Sequence, residues 1–403
     1  MKTGRRVWRE MLLGGLAAML LFPAAATLAT AGLLIAANAE EGWRGSLNRD
    51  APRACLWGTL IGLGFCLAVG GLLGRRFGCS DRASLRTYGE LRVHFDQLNE
   101  RVTAGCNGRA DTACAVAATQ IAAARRALVG REVGLCWLAM TGYVDLWQRL
   151  HRVEEALIAV EPASAVLGEA DADELRLTGS RIPQGTALLG LLRKARAVLV
   201  GEVAESPPPR DEAEARAMLV EVRKAINDYR DARRAGLVEA RNRVLITVVF
   251  TGLTGYALLL IAILNGATAN QVTAAASFYL VGGLAGLARR LQSAPAVHAA
   301  GQDDFGLANA LLLHTPLFSG VAAIGGVVLT KIAADGTAAS LSEVFDLGRN
   351  PLSLVTAAVF GLTPALLITQ LEKRAADSRH ELAQTNSSSG DDTTVGSTTL
   401  SES

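Results

Sequence analysis

Two pairs of side chains have the residue types and the helical spacing that could hold a metal ion or move a proton. Glu90 and His94 are four residues apart, and so are His151 and Glu155. Residues four apart lie on one face of a helix, so two such helices could bring both pairs together. The di-iron sites of helical bundles use Glu-x-x-His, with a spacing of three, and two further glutamates. The observed spacing therefore favours surface positions or hydrogen bonds between helices, and we expect neither a metal nor a cofactor.

The sequence motifs of common enzyme classes are missing. The chain contains no G-x-x-x-x-G-K-[ST] phosphate loop, no G-x-S-x-G nucleophile elbow and no H-E-x-x-H zinc motif. The triplet Asp304-Phe305-Gly306 matches the magnesium-binding triplet of protein kinases, but it stands without their other signatures. No pair of cysteines has the C-x-x-C spacing, and Cys106 and Cys114 are expected to be free thiols in a reducing compartment. We predict that the protein is not an enzyme.

His314 is the one charged or imidazole side chain inside the apolar segments described below. Ionisable residues within a membrane are costly and are functional candidates by default. Pro316 follows it and removes a backbone hydrogen bond one turn upstream, and Pro364 marks a second candidate kink. We interpret His314, Pro316 and Pro364 either as structural features near the end of a span or as a gating or binding site.

Long apolar helices must position these residues. Half of the 403 residues are hydrophobic and the mean hydropathy is +0.27, as expected for closely packed membrane helices. An apolar run of about 20 residues can span a bilayer, so we predict an all-α, polytopic helical membrane protein with six spans. The predicted spans are Met11–Ala39, Cys55–Gly74, Val244–Leu264, Val272–Ala288, Ala310–Thr330 and Leu352–Leu371.

The first span is open to two interpretations. Ala37-Asn38-Ala39 resembles a signal-peptidase site, but the apolar run is longer than that of a signal peptide, which favours a retained anchor. Near the other end of the chain, Ser340-Leu-Ser-Glu343 has the pattern of a capping box. The short helix that it opens is predicted to lie against the outer membrane surface, and a re-entrant pore element is the alternative.

Glycines four residues apart predict where the spans pack, because they open a flat face to a neighbouring helix. Packing within one chain is the ordinary interpretation, and dimerisation is the alternative. Three pairs have this spacing: Gly58 and Gly62, Gly70 and Gly74, and Gly282 and Gly286.

The segment between the second and third spans is charged and amphipathic. Apolar residues recur every three or four positions from Leu85 to Val102, from Val133 to Leu157 and from Leu188 to Leu199, the period of a helix with one buried face. No alternation typical of a strand occurs. We predict a cytosolic, antiparallel bundle of about five helices. Its core is predicted to include Trp137, Met140, Tyr143, Trp147 and Leu150.

One continuous helix is predicted to join this bundle to the membrane. The charged run from Arg210 continues without proline into Val244–Leu264. Gly236 is its weak point, either a soft joint or a packing site. Apolar residues keep roughly helical spacing across the junction, at Met218, Val222, Ile226, Tyr229, Ala232, Leu237, Ala240 and Val244.

Four domains follow from these patterns. They are a two-span hairpin over residues 1–78, the cytosolic bundle over 79–243, a four-span membrane domain over 244–374 and a Ser/Thr-rich tail over 375–403 that lacks the apolar content to fold. Thirteen Lys and Arg residues lie in segments assigned to the inside and five in segments assigned to the outside. This bias places both termini in the cytosol and the spans in the cytoplasmic membrane.

The expected partners are the lipid bilayer and a cytosolic protein. A net charge of +2 is too small to indicate a nucleic-acid partner. A membrane-anchored signalling or scaffolding protein that acts through its cytosolic bundle is the favoured hypothesis. A transporter or channel with kinked spans around His314 and Pro364 is the alternative.

The topology predicts a labelling pattern in intact cells. Single cysteines at Ser46 and Ala338, in a chain without the native cysteines, are expected to react with a membrane-impermeant thiol reagent because both lie in outer loops. A cysteine at Ala213 is expected to react only after lysis. Labelling of Ala213 in intact cells would contradict the inside assignment of the bundle.

Overall fold

The structure is a computed structural model that describes residues 18–39, 51–77, 82–107, 112–129, 140–179, 182–200, 211–293, 305–335, 344–345 and 352–363. These ranges contain eleven α-helices and no β-strand, which confirms the all-α class. The helices are α1 (Phe22–Ala39), α2 (Ala51–Phe77), α3 (Arg82–Gly105), α4 (Thr112–Val129), α5 (Thr141–Val160), α6 (Ala163–Gly179), α7 (Gly185–Val200), α8 (Asp211–Leu264), α9 (Ala269–Ser293), α10 (Leu307–Asp335) and α11 (Leu352–Leu362).

The helices group into two compact units, with boundaries between Leu85 and Arg86 and between Val238 and Glu239. The sequence had suggested residues 79 and 243 instead. We call the unit built from α1, α2, α9, α10, α11 and the end of α8 the membrane unit. The unit built from α3 to α7 and the start of α8 is the helical unit. The predicted tail, 375–403, lies outside the described residues.

The membrane unit consists of apolar helices. Five helices in the described ranges are long and apolar enough to cross a bilayer, namely α1, α2, α8, α9 and α10, and they indicate a membrane protein. α11 has eleven residues, too few to span a bilayer at the 1.5 Å rise of a helix. The rest of the predicted sixth span, including Pro364, lies outside the described residues, so the count of six stays a prediction.

Close helix packing in the membrane unit occurs at glycines. A Cβ at Gly62 of α2 would lie 2.7 Å from the backbone nitrogen of Ala26 in α1, and one at Gly58 would overlap Thr30. In the second group of helices, a Cβ at Gly282 or Gly286 of α9 would overlap α10 at Ala323 or Ser319. The glycines therefore let backbones within one chain approach each other. Gly70 is buried in α2, and Gly74 follows one turn later.

The turn between α8 and α9 has specific end signals. Gly266 has a φ of 75°, and the N–H of Ala267 donates to the carbonyl of Ala262 over 3.0 Å, which forms a Schellman ending. The N–H of Thr268 donates to Oε1 of Gln271 over 2.8 Å, as in a capping box. These bonds satisfy the polar groups of the turn and place α9 next to α8.

Two residues of the short segment after α10 pack on the helices of the membrane unit. Val344 is buried among Phe278 of α9 and Ala323 and Val327 of α10, and the rings of Phe345 and Phe278 lie 6.0 Å apart. The position of this segment at the outer membrane surface stays a prediction. The predicted capping box at 340–343 is outside the described residues.

An apolar cluster of the helical unit lies on the inner face of α8. Leu219, Val222 and Ile226 pack against Leu188 and Leu192 of α7, as amphipathic helices must to bury their apolar faces. The predicted core residues Met140, Tyr143 and Leu150 are confirmed as buried. Trp147 is only partly buried, and Trp137 lies outside the described residues.

α8 is a single helix of 54 residues that contributes to both units, which confirms the predicted continuity. Gly236 does not interrupt it. A Cβ at Gly236 would meet nothing within 4 Å, so it is not a packing site.

Candidate functional site

Both histidines of the helical unit form hydrogen bonds between helices. His94 Nε2 of α3 lies 2.8 Å from Glu154 Oε1 of α5, and His151 Nδ1 of α5 lies 3.0 Å from Asp231 Oδ2 of α8. Neither histidine is bonded to the glutamate four residues away on its own helix, Glu90 for His94 and Glu155 for His151. The centroid of Trp147 lies 5.2 Å from that of His94 and 5.5 Å from that of His151. The predicted hydrogen bonding between helices is thus found with different acidic partners.

Asp231 belongs to a set of polar side chains that α8 buries. These residues recur every three or four positions, so they share one face. That face continues the apolar core of Leu219, Val222 and Ile226 toward the membrane end of the helix. The buried polar residues of α8 are Arg223, Asn227, Arg230, Asp231 and Arg234.

Arg223 lies at the centre of the network. Its Nε donates to Asp173 Oδ2 over 2.6 Å and its Nη1 to Glu169 Oε2 over 2.5 Å, both on α6. The side chains of Arg223 and Asp173 are each 4% exposed. Arg176 donates to the other oxygen of Asp173 over 2.8 Å. Arg101 of α3 forms a further ion pair with Glu169. Positive and negative groups therefore alternate around Arg223, and Asp173 and Glu169 are each shared by two arginines.

Arg234 connects this network to the histidines. Its guanidinium carbon lies 4.0 Å from the centroid of Trp147, within the range of a cation–π contact. Its Nη1 lies 3.4 Å from His151 Nε2 and 3.4 Å from Asp231 Oδ1. One turn of α8 thus contacts the ring of Trp147, the imidazole of His151 and a carboxylate at once.

Burial is the largest influence on the pKa values of His151 and Arg230, and it lowers both. Burial lowers the pKa of His151 from its ordinary 6.5, although the hydrogen bond to Asp231 acts in the other direction. Burial, together with the charges of Arg234 and Arg176, lowers the pKa of Arg230 to about 9. A neutral His151 next to Arg234 limits the positive charge that the interior must hold.

In the ion pairs, the partner side chains outweigh the effect of burial on the pKa. Burial opposes ionisation of Arg223, but the charges of Asp173 and Glu169 raise its pKa above the ordinary value. Burial likewise opposes ionisation of Glu154, yet the hydrogen bond from His94 holds the pKa of that carboxyl well below its usual range. These groups are charged because they are paired, so separating them would leave charges in a medium of low polarity.

This arrangement is suited to holding the position of α8. Within the described residues, no group of three or more His, Cys, Asp or Glu side chains could hold a metal ion. The network consists of many mutually dependent pairs, and a shift of α8 by a fraction of a turn would change several of them together. We therefore regard the face of α8 from Arg223 to Arg234 as the candidate functional site.

The membrane candidates lie elsewhere. His314 is 9% exposed on α10 and its ring stacks on Phe318, with centroids 5.2 Å apart. Among the described residues, no hydrogen-bond partner reaches its Nδ1. Thr315 donates to the carbonyl of Leu311 over 2.7 Å, and the carbonyl of Pro316 would lie 3.0 Å from a Cβ at Gly283 of α9. Pro316 thus lies at a close contact between α9 and α10.

Sequence reasoning missed the network because it followed apolar residues alone. Ala232 belongs to the apolar series at helical spacing but is exposed, while Arg230 and Arg234 take the buried positions. The available signal was the spacing of Arg223, Arg230 and Arg234, which continues the helical period of the core.

Comparisons with known proteins add no assignment. No family model, no curated protein and no solved structure matches this chain.

The central ion pairs predict a large effect of one substitution. Arg223→Met is expected to lower the free energy of unfolding by about 3–5 kcal/mol, because it leaves Asp173 and Glu169 buried without their partner. Arg149→Met is the matched control, since Arg149 forms an exposed pair with Asp145 worth about 1 kcal/mol or less. Chemical denaturation in detergent micelles measures both. Equal effects of the two substitutions would show that the pairs of Arg223 are not central.

The neutral state of His151 predicts a pH dependence. The unfolded chain binds a proton near pH 6.5, whereas folded His151, with its lowered pKa, binds it only at lower pH. The folded state is therefore expected to lose stability as pH falls below about 6.5. In His151→Asn, this loss in apparent melting temperature is expected to be smaller than in the wild type. Parallel pH profiles of the two proteins would contradict the assignment.

Proposed function

We propose that this chain is a membrane-anchored signalling or scaffolding protein of the cytoplasmic membrane, whose helical unit responds to movements of α8. The observation that carries the proposal is the composition of α8. One unbroken helix holds the buried face from Arg223 to Arg234 and, ten residues further on, begins the apolar segment Val244–Leu264. Ten residues are about 15 Å of helix at a rise of 1.5 Å per residue.

The short distance along the helix supports mechanical coupling. An α-helix resists twisting over a few turns, because each turn is held by its own hydrogen bonds. A rotation of Val244–Leu264 in the bilayer would therefore reach Arg234 with little loss. At this turn, the rotation would change the contacts of Arg234 with Trp147 and His151, and the hydrogen bond between Asp231 and His151, together.

The energetics of the buried pairs favour discrete states over gradual movement. Removing one partner of a buried pair costs several kcal/mol, so intermediate positions of α8 with half-broken pairs are unfavourable. A network of this kind biases the helical unit toward one of two arrangements. In this proposal, a cytosolic protein partner reads the arrangement of the helical unit, and both termini and the helical unit lie in the cytosol.

Changing the thickness of the bilayer tests the coupling. Longer or shorter lipids alter the tilt of membrane helices, which should move α8. The full-length protein is reconstituted into nanodiscs of short-chain or long-chain phosphatidylcholine, and amide hydrogen exchange of α5 and α6 is measured. The exchange rates of α5 and α6 are expected to differ between the two lipids. Identical rates would overturn the proposal.

The substitution Ala235→Pro tests whether the lipid effect passes through α8. Proline removes a backbone hydrogen bond and kinks a helix, so the variant is expected to abolish the lipid dependence of exchange in α5 and α6. Gly236→Ala is the control, because its added methyl group meets nothing within 4 Å and keeps the helix intact. A lipid response that survives Ala235→Pro would exclude transmission through α8.

A transporter or channel is the second candidate, and His314 is the observation that favours it. A buried imidazole whose Nδ1 has no partner among the described residues is a costly feature of a membrane helix. Solute flux in liposomes that is lost in His314→Phe would support this candidate. The lack of Asp, Glu, Lys and Arg within the predicted spans is the argument against an ion-coupled carrier.

A further inference from the structure

We propose that the cavity between α1, α8, α9 and α10 binds one acyl chain of a membrane phospholipid. The cavity has a volume of about 590 Å³, within the range of roughly 300–1,000 Å³ found for ligand pockets. Its lining residues all belong to the membrane unit. The proposal does not depend on signalling through α8.

The length of the cavity fits a hydrocarbon chain. Along α8 the lining extends from Thr251 to Asn265, which is about 21 Å at a rise of 1.5 Å per residue. The hydrocarbon core of a bilayer is about 30 Å thick, so a chain in one leaflet spans about 15 Å. A chain of that length lies within the cavity when it runs parallel to α8.

Small residues create this space between two points of contact. α1 meets α8 near Gly252, where a Cβ would lie 3.0 Å from the backbone nitrogen of Ala24. The helices contact again where Leu34 and Ile263 belong to one buried cluster. Between these points, a Cβ at Gly255 would meet nothing within 4 Å. The two helices therefore separate in the middle, and no side chain of the described residues comes within 4 Å of a Cβ at Gly255.

Tyr279 adds a hydroxyl to the wall, but the other hydroxyl and amide side chains of the lining are already hydrogen-bonded. Each of the threonine, asparagine and glutamine side chains in the wall is bonded within its own helix or turn, so a polar ligand would gain little there. The bonds are Thr27 Oγ1 to Pro23 O, Thr251 Oγ1 to Thr247 O, Asn265 Nδ2 to Ile261 O, and Thr268 N to Gln271 Oε1. The chemistry of the wall thus favours a chain of methylene groups.

The rim of the cavity gives a hydrocarbon chain access from the bilayer. Leu28 of α1 and Leu258 and Ile261 of α8 line it and are 52%, 44% and 53% exposed. These residues lie on helices long and apolar enough to span the membrane, so their exposed surface faces lipid. An acyl chain can enter sideways while its headgroup stays at the membrane surface.

Photocrosslinking tests the proposal on the full-length protein. The chain is reconstituted into nanodiscs of phosphatidylcholine that carries a diazirine in one acyl chain, and the crosslinked residues are mapped by mass spectrometry. Crosslinks are expected at the lining residues Ala262 and Ala275 as well as at the exposed Leu264. A wild-type map confined to exposed positions such as Leu264 would mean ordinary contact with surrounding lipid and would overturn the proposal.

A cavity-filling variant sharpens the result. Gly255→Leu is expected to abolish the crosslinks at Ala262 and Ala275 and to retain those at Leu264, because leucine occupies the open space. Gly64→Leu is the control, since Gly64 lies on α2, outside the lining, and its added Cβ also meets nothing within 4 Å. Crosslinks at Ala262 and Ala275 that persist in Gly255→Leu would overturn the proposal. The wild-type map decides the question if Gly255→Leu fails to fold.

Discussion

The ion pairs of Arg223 are the interaction on which the helical unit depends. A guanidinium that is 4% exposed has lost most of its water, and two carboxylates and one backbone carbonyl of α6 compensate for that loss. Asp173 in turn is shared with Arg176, and Glu169 with Arg101. The position of α6 and α3 is therefore tied to one turn of α8 by charge as well as by apolar packing.

These ion pairs lie on a helix whose first part packs in the helical unit and whose last part is apolar enough to cross a membrane. From Leu219 to Ile226 its buried face is apolar apart from Arg223, from Arg230 to Arg234 it is charged, and from Val244 onward its side chains are uncharged. Apolar packing alone tolerates sliding, since one aliphatic contact can replace another. Paired buried charges fix the rotation and the height of the helix, because each donor has a specific acceptor. The charged turn is thus the part of α8 that defines its register.

The sequence predicted the elements better than it predicted their contacts. Hydrophobic period and length were enough for the helices, since both are local properties. The uninterrupted course of α8 followed from the absence of proline. The pairing of His94 with Glu154, and of His151 with Asp231, could not be predicted, because it depends on which helices become neighbours. Spacing along one helix pointed to Glu90 and Glu155 as the partners, whereas the fold supplied residues 60 and 80 positions away.

Glycine has opposite effects at different places in the membrane unit. At Gly62 and Gly282 its missing side chain allows a second backbone to approach, so dispersion contacts replace lipid. At Gly255 no backbone approaches, and the same missing side chain leaves an empty space. A spacing of four residues identified the first kind, but it cannot identify the second, because a gap depends on where the neighbouring helix diverges. The atoms that line an empty apolar space lack dispersion contacts on the side of the space. A lipid chain in that space would supply these contacts.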